Sequence, residues 1–312
     1  MRGEFFRRAG PLEELVVGFL VPKALQCEPH YFSEEATMRI VRLFVIATLG
    51  LAIQVAGAWP VTGQTAPQST AETPVNAKTW QGRNQEIEEY LKSAEVQKTE
   101  DIGVGVTKPK KAELAPGGPV DKMAWKAIKP GRYSGYWESY KSEIAAYELD
   151  KLLGLGMIPP TVEKRVGGDL GAAIMWVSPT KSFKELGGPP IPPPAKTPAW
   201  NRQMIRAKMF DNLIYNKDPN LGNWLVDPSW NLILIDHTRS FTEGKQMVHE
   251  MGRIDVELWD KMKALDEATL TTSLSQWLGK AEIRGLLERR DKMQEVIDKL
   301  VASKGEAAVM VR

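Results

Sequence analysis

The sequence predicts an α+β chain of two lobes, the first built of strands around one long helix and the second mostly helical. Three observations carry that prediction. Short apolar runs, broken by glycines and by the turn Pro116-Gly117-Gly118-Pro119, fill the first half up to the helical pattern of "SYKSEIAAYELDKLLGLG". A stiff, polyproline-like run, "ELGGPPIPPPAKTP", then separates the halves. Beyond it, apolar residues recur at helical spacing around 201–215, in "RIDVELWDKMKAL" and in "AEIRGLLERRDKMQEVIDKLVAS". A chain of 312 residues with 43% apolar and 26% charged content supplies two such lobes and some extra length. The net charge of +2 gives no case for a nucleic-acid partner or for an acidic surface.

Taken in order, residues 1–37 are interrupted by Glu13, Glu14, Glu28, Glu34 and Glu35, and read as an extension from a start codon placed too early. From Met38, Arg39 and Arg42 precede an uncharged apolar stretch, Leu43 to Val55, closed by Ala56-Gly57-Ala58. Residues 38–58 thus have the layout of a secretory signal peptide cleaved after Ala58. The stretch falls short of the about 20 residues a spanning helix needs, so an uncleaved membrane anchor is the lesser alternative. The expected location is periplasmic or extracellular. The only cysteine is Cys27, so a chain cut after Ala58 uses neither disulfides nor thiol chemistry. Residues 59–78, rich in Thr, Ala, Pro and Gln, are expected to be a disordered spacer.

The first lobe is expected over 79–177. "NQEIEEYLKSAEV" reads as a helix with Ile87, Tyr90, Leu91 and Ala94 on one face. A strand, a loop with Gly103 and Gly105, and further strands follow through "MAWKAIKP". Ser139 or Ser142 caps the next helix and Gly154 or Gly156 ends it, and "GAAIMWV" reads as a buried strand. Residues 178–200 form the linker, 201–304 the second lobe and 305–312 a tail. Within the second lobe, "NWLVD" and "NLILID" read as a hairpin across "PSW".

That hairpin holds Asn223 at one end and Asp236 at the other, with Asp218 in the loop before it. Amide and carboxylate oxygens are hard ligands, suited to Mg²⁺ or Mn²⁺ rather than Zn²⁺. Asp218 can instead accept a proton from an attacking hydroxyl. This is the division of labour of phosphoryl transfer, which also needs a lysine on a strand and a glutamate on the following helix. Lys126 and Glu143 stand in that order; Lys129 is the second choice, since it shares the strand face only across a bulge. The bland alternatives are a plain turn for Asp218-Pro219-Asn220-Leu221-Gly222 and an ordinary loop at Gly103 and Gly105. Lys108, Lys110 and Lys111 are divided between phosphate contact and a solvated loop. Trp176, Trp224 and Trp230 are expected to pack core and turns, His237 to neighbour the site, and His249 to lie on the surface.

These residues in this order resemble atypical kinases related to phosphatidylinositol 3- and 4-kinases and to secretory-pathway (Golgi-type) protein kinases. Asp218 to Asn223 has their D-x-x-x-x-N catalytic-loop spacing, and "LILIDHTRSF" resembles their metal-binding segment. "SEIAAYELDKLLGLGMIPPTVEKR" is similar to the helix and turn of bacterial members, "AWK" to their lysine strand and "GAAIMWV" to their hinge-side strand. The resemblance spans about residues 100–245. It implies a two-lobed protein-kinase-like fold that binds ATP with Mg²⁺ (or Mn²⁺). Lys126 would contact the phosphates with Glu143 as its partner, Asp218 would be the base, and Asn223 and Asp236 the metal ligands. Gly103, Gly105, Met175 and Val177 would flank the nucleotide, and Asp211 would steady the catalytic loop. The acceptor would be a hydroxyl of a protein, lipid or small molecule. Two positions depart from the family pattern. Pro219-Asn220 stands where relatives usually have Arg-His, and Thr238 where they usually have Gly. An inactive, ligand-binding pseudokinase and a nucleotidyl transferase therefore stand beside the kinase, and no motif speaks to oligomeric state.

Overall fold

The computed structural model describes residues 76–103 and 109–312. The expected signal segment, most of the expected spacer, Cys27, Gly105 and Lys108 lie outside those residues. The end of the expected spacer is built into the fold: Ala77 and Lys78 are buried, and the Ala77 amide donates to Asp227 at 2.9 Å.

Helix α1 (Asn84–Ser93) buries Ile87 and Leu91, as its period requires. It stops short of the expected end because Ala94 turns extended and Val96 already belongs to a strand. The first half continues as β1 (Val96–Asp101), β2 (Lys110–Leu114), β3 (Lys122–Lys126), β4 (Gly131–Tyr133), β5 (Tyr136–Glu138), α2 (Tyr140–Leu153), β6 (Thr161–Val166) and β7 (Asp169–Met175). Five of these strands form one antiparallel sheet in the order β1-β2-β3-β7-β6. The sheet and α1 share a core that includes Trp80, Leu91, Met123, Trp125 and Val162.

Two glycine positions fix how this half closes. Gly154, at φ 64°, ends α2 in the left-handed conformation, which glycine adopts without the usual steric cost. Gly171 sits where β7 passes β3, and a Cβ there would lie 2.4 Å from the Lys126 carbonyl oxygen. At its other end α2 is capped by Ser139, whose Oγ accepts from the Lys141 amide at 3.1 Å.

The hairpin β4–β5 was not expected from the sequence. It pairs through Gly131–Glu138, Arg132–Trp137 and Tyr133–Tyr136, and exposes Tyr133, Tyr136 and Trp137.

The second half opens with β8 (Lys181–Ser182) and a 3-10 turn over Pro194–Lys196, and then forms α3 (Thr197–Ile214). That helix begins four residues before the expected 201, because Pro198 falls in its first turn, where the missing amide hydrogen costs nothing. β9 (Trp224–Val226) and β10 (Leu232–Leu234) form the expected hairpin, with β8 added to its β9 edge. After it come β11 (Ile254–Asp255), α4 (Val256–Lys263), α5 (Glu267–Leu274), α6 (Lys280–Lys304), α7 (Glu306–Val309) and β12 (Met310–Val311). Their core gathers Phe210, Leu213, Leu258, Leu270, Leu286 and Ile297. Among the described residues no helix is long and apolar enough to cross a membrane.

Helix α2 joins the two cores. Leu149 and Leu153 pack into the helical half, while Tyr140 and Ile144 pack against Ala172 and Ile174 of the sheet. Its first turn therefore lies between the two halves, and that is where the charged residues meet.

Candidate active site

Strand alternation sets the first side chain. Met123 and Trp125 of β3 pack into the sheet core, so Lys126 projects from the opposite face. Its Nζ donates to Glu143 Oε1 at 2.6 Å and to Asp236 Oδ1 at 2.7 Å. The other Glu143 oxygen accepts the His237 amide at 3.0 Å. Side-chain exposure is 7% for Lys126, 3% for Glu143 and 29% for Asp236. Burial alone would push the lysine toward neutrality, but Asp236 and Glu143 outweigh it and raise its pKa above the ordinary value. Burial likewise works against the Glu143 charge, and the Lys126 ammonium overcomes it, holding the carboxyl below the ordinary range. Lys129, the second choice, stands exposed with Asp169 3.8 Å away.

The β9–β10 hairpin brings in the second set. The Ile235 amide donates to the Asn223 carbonyl at 3.0 Å, which ties the two ends of the hairpin together. Asp236 then turns into the left-handed region at φ 63°, one of five non-glycine residues with positive φ among the described residues. Thr238 Oγ1 donates to Asp236 Oδ1 at 3.1 Å. Asn223 Nδ2 donates to the Asp218 carbonyl at 3.0 Å, so its side-chain oxygen faces away from that bond.

A chain of hydrogen bonds carries the Asp218 loop. The Asp218 amide donates to Asn216 Oδ1 at 3.1 Å, and Asn216 Nδ2 donates to Asp211 Oδ1 at 3.0 Å. The other Asp211 oxygen lies 2.9 Å from His249 Nε2. This corrects the surface placement of His249, which is 16% exposed at the side chain and is also fixed by reciprocal bonds with Asn212. His237 is a neighbour of the site as expected, fully buried, with both ring nitrogens lacking a hydrogen-bond partner.

Sequence reasoning missed Arg239. Its Nη1 donates to Asp218 Oδ2 at 3.2 Å and its Nε to Glu138 Oε1 at 2.7 Å, while its guanidinium lies 4.4 Å from the centre of the Tyr136 ring. Asn220 Nδ2 holds the other Asp218 oxygen at 2.8 Å. The sequence offered only one signal for this cluster, a basic residue three places after Asp236; Glu138 and Tyr136 lie on the unexpected hairpin.

The structure thus brings Lys126, Glu143 and Asp236 into direct contact and links Asn223 by hydrogen bonds to both acid-bearing loops. Gly103 follows β1 at φ 71°. Met175 and Val177 turn their side chains into the sheet core, which leaves backbone atoms to meet any ligand there. Lys110 and Lys111 belong to β2 rather than to a loop, and Lys111 Nζ lies 4.8 Å from the Trp176 ring centre. Among the described residues no three His, Cys, Asp or Glu side chains converge into a metal cage. The available donors, one carboxylate and one carboxamide oxygen, fit Mg²⁺ held by one or two protein oxygens together with substrate phosphates and water.

No protein-family model matches the chain, and no curated protein matches it. Solved structures do. The structure of hydra Fam20 with sugar aligns at TM-score 0.55 and 18% identity, over 72% of this chain and 91% of that one. The Golgi casein kinase with Mn/ADP bound aligns at TM-score 0.56 and 14% identity, over 73% and 78% respectively. At such identities the likeness is one of fold. The chain has the α+β, two-lobed, kinase-like fold of these proteins, with a sheet-based first part and a helical second part.

Proposed function

We propose that this protein is an exported kinase that transfers the γ-phosphoryl group of ATP to a hydroxyl acceptor with the help of a divalent ion. The observation that carries the reading is the buried lysine that grips one acid from each half, Glu143 at 2.6 Å and Asp236 at 2.7 Å. The kinase-like fold and the Mn/ADP in the Golgi casein kinase structure support it. Export rests on the 38–58 sequence pattern.

In this reading Glu143 fixes the Lys126 ammonium, which neutralises phosphate charge in a site already built for a cation. Asn223 and Asp236 would hold Mg²⁺ or Mn²⁺, which when bound neutralises the phosphate oxygens. Asp218 orients the acceptor hydroxyl and takes its proton as that oxygen bonds to the γ-phosphorus and ADP leaves. The Met175–Val177 backbone would meet the base.

Titration with ATP and Mg²⁺, followed by thermal shift or calorimetry, tests this. Asp236→Ala should lose metal-dependent nucleotide binding, and unchanged affinity in that variant would refute the reading. A second reading has an observation of its own: both Asp218 oxygens already accept hydrogen bonds, from Asn220 and Arg239. That occupancy suits a pseudokinase that binds a ligand or protein in the envelope. Wild-type protein that binds Mg²⁺-ATP but releases no ADP in the presence of hydroxyl acceptors would establish the second reading over the first.

A further inference from the structure

A cavity of about 520 Å³ is walled by the β4–β5 hairpin, by Lys217, by the segment 242–244 and by the start of α6. Its volume is that of a small-molecule site. Two connections tie it to the candidate base. Lys217 is the residue before Asp218. Tyr136, flanked by the lining residues Gly135 and Trp137, packs on Arg239, whose Nη1 holds Asp218 Oδ2. The first connection is adjacency along the chain, and the second passes through two side chains, Tyr136 and Arg239.

Its charges are unequally committed. Glu282 is engaged in starting α6, where its Oε2 accepts the Gly279 amide at 2.6 Å, and Glu243 is an exposed lining carboxylate with no ion-pair partner among the described residues. Arg132 and Lys217 are both exposed lining residues, and among the described residues the Lys217 side chain has only the Tyr215 ring, 5.0 Å from its Nζ, as a partner. Arg132 has no ion-pair partner among the described residues. Exposed cations usually serve only solvation. Here two of them wall one concave site whose lining includes the residue before Asp218, with Trp137 supplying an apolar wall.

We infer that this cavity is the acceptor site, and that it takes a small hydroxyl compound bearing an anionic group, a carboxylate or a phosphate, held by Arg132 and Lys217. The word acceptor rests on the kinase reading; the charge selection does not, and is measured without nucleotide.

Calorimetric titration of the full chain at low ionic strength with glycerol 3-phosphate, glycerate and glycerol tests the inference. At least one of the two anions should bind tenfold or more tightly than glycerol, and the tighter of them identifies which anion the site reads. Arg132→Ala and Lys217→Ala should each weaken that anion about 5- to 20-fold, and both side chains are exposed enough for the variants to fold. Glu243→Gln should leave anion binding unchanged or tighter. Equal binding of glycerol, no anion binding at millimolar concentration, or wild-type affinity in both cation variants would overturn the inference. So would inorganic phosphate binding as tightly as glycerol 3-phosphate, because the site would then read a bare anion. A parallel Mg²⁺-ATP titration separates the two claims. Anion binding without ATP binding removes the kinase reading and keeps the ligand site, whereas ATP binding without anion binding does the reverse.

Discussion

Replacing Lys126 by Met tests the electrostatic core of the site most directly. Methionine keeps the apolar stem and removes the charge, which leaves Glu143 at 3% exposure with the His237 amide at 3.0 Å and the His237 ring, whose Nδ1 lies 3.7 Å away, as its remaining partners. Asp236 is 29% exposed, so water compensates it and its share of the loss is at most about 1 kcal/mol. Glu143 carries the rest, and breaking a buried pair by removing one partner costs about 3–5 kcal/mol. The sign with pH follows from burial. In the wild type the Glu143 carboxyl is held below its ordinary range, so its contribution is full above that range and is lost as the pH falls through it. In the variant burial acts without the lysine, the carboxyl moves above its ordinary range, and its contribution is lost as the pH rises instead. Urea unfolding should therefore show a deficit of about 3 kcal/mol or more at pH 7 that narrows toward pH 5. Adding Glu143→Leu should restore most of the loss, because a buried ion pair can be replaced by apolar groups at little cost. A deficit under about 1 kcal/mol at pH 7, or one of equal size at both pH values, would refute the account.

Three further expectations use the same unfolding assay. Asp211→Ala should cost about 2–4 kcal/mol, since Asn216 Nδ2 and His249 Nε2 both lose their acceptor, and on the proposed kinase reading it should lower ADP release while nucleotide still binds; a loss under about 0.5 kcal/mol would contradict the role given to this chain of bonds. Gly171→Ala should cost about 1–3 kcal/mol because its Cβ would press on the Lys126 carbonyl at 2.4 Å, and a neutral substitution would show that β7 moves away freely. Asp150 is raised to about 6 by burial, against the Met157, Ile158 and Gly156 amides and the Lys78 charge that favour its ionised form. Its contribution is present below the ordinary carboxyl value and is lost as the pH rises through about 6, so Asp150→Asn should remove up to about 3 kcal/mol of stability loss between pH 4 and 7; equal slopes in both proteins would contradict this.

Much of the architecture was legible because its signals are local. The period of α2, its serine cap and its terminal glycine, the Trp224–Leu234 hairpin and the long α6 all follow from residues within a few places of one another. A strand before the Gly103 loop was expected, but the bounds of β1 were not legible, since five of its six residues are exposed and give no alternation to read. The β4–β5 hairpin was hidden for a related reason: its aromatics are spent on an exposed surface and on Arg239 rather than on a core face. The site divides in the same way. The chain order of Lys126, Glu143, Asp218, Asn223 and Asp236 could be seen in one dimension. The bond from Arg239 to Glu138 spans 101 residues and that from His249 to Asp211 spans 38, and no local pattern announces either.

The two cations of the site are used in the same way. Lys126 bridges buried Glu143 to partly exposed Asp236, and Arg239 bridges Glu138, at 0% exposure, to Asp218, at 31%. Both buried acids come from the sheet-based half and flank the start of α2, Glu138 just before its cap and Glu143 in its first turn, where the helix dipole favours negative charge. Both partly exposed acids come from the loops around the β9–β10 hairpin. A cation fixed by a buried acid keeps its charge and position whether or not its second partner stays, because the buried carboxylate has no other means of compensation. The exposed acid is under no such constraint, since water or a ligand can replace the cation at little cost. Asp236 and Asp218 are thus the two members of the cluster free to exchange partners, and they are the two that a metal ion and a hydroxyl proton would need.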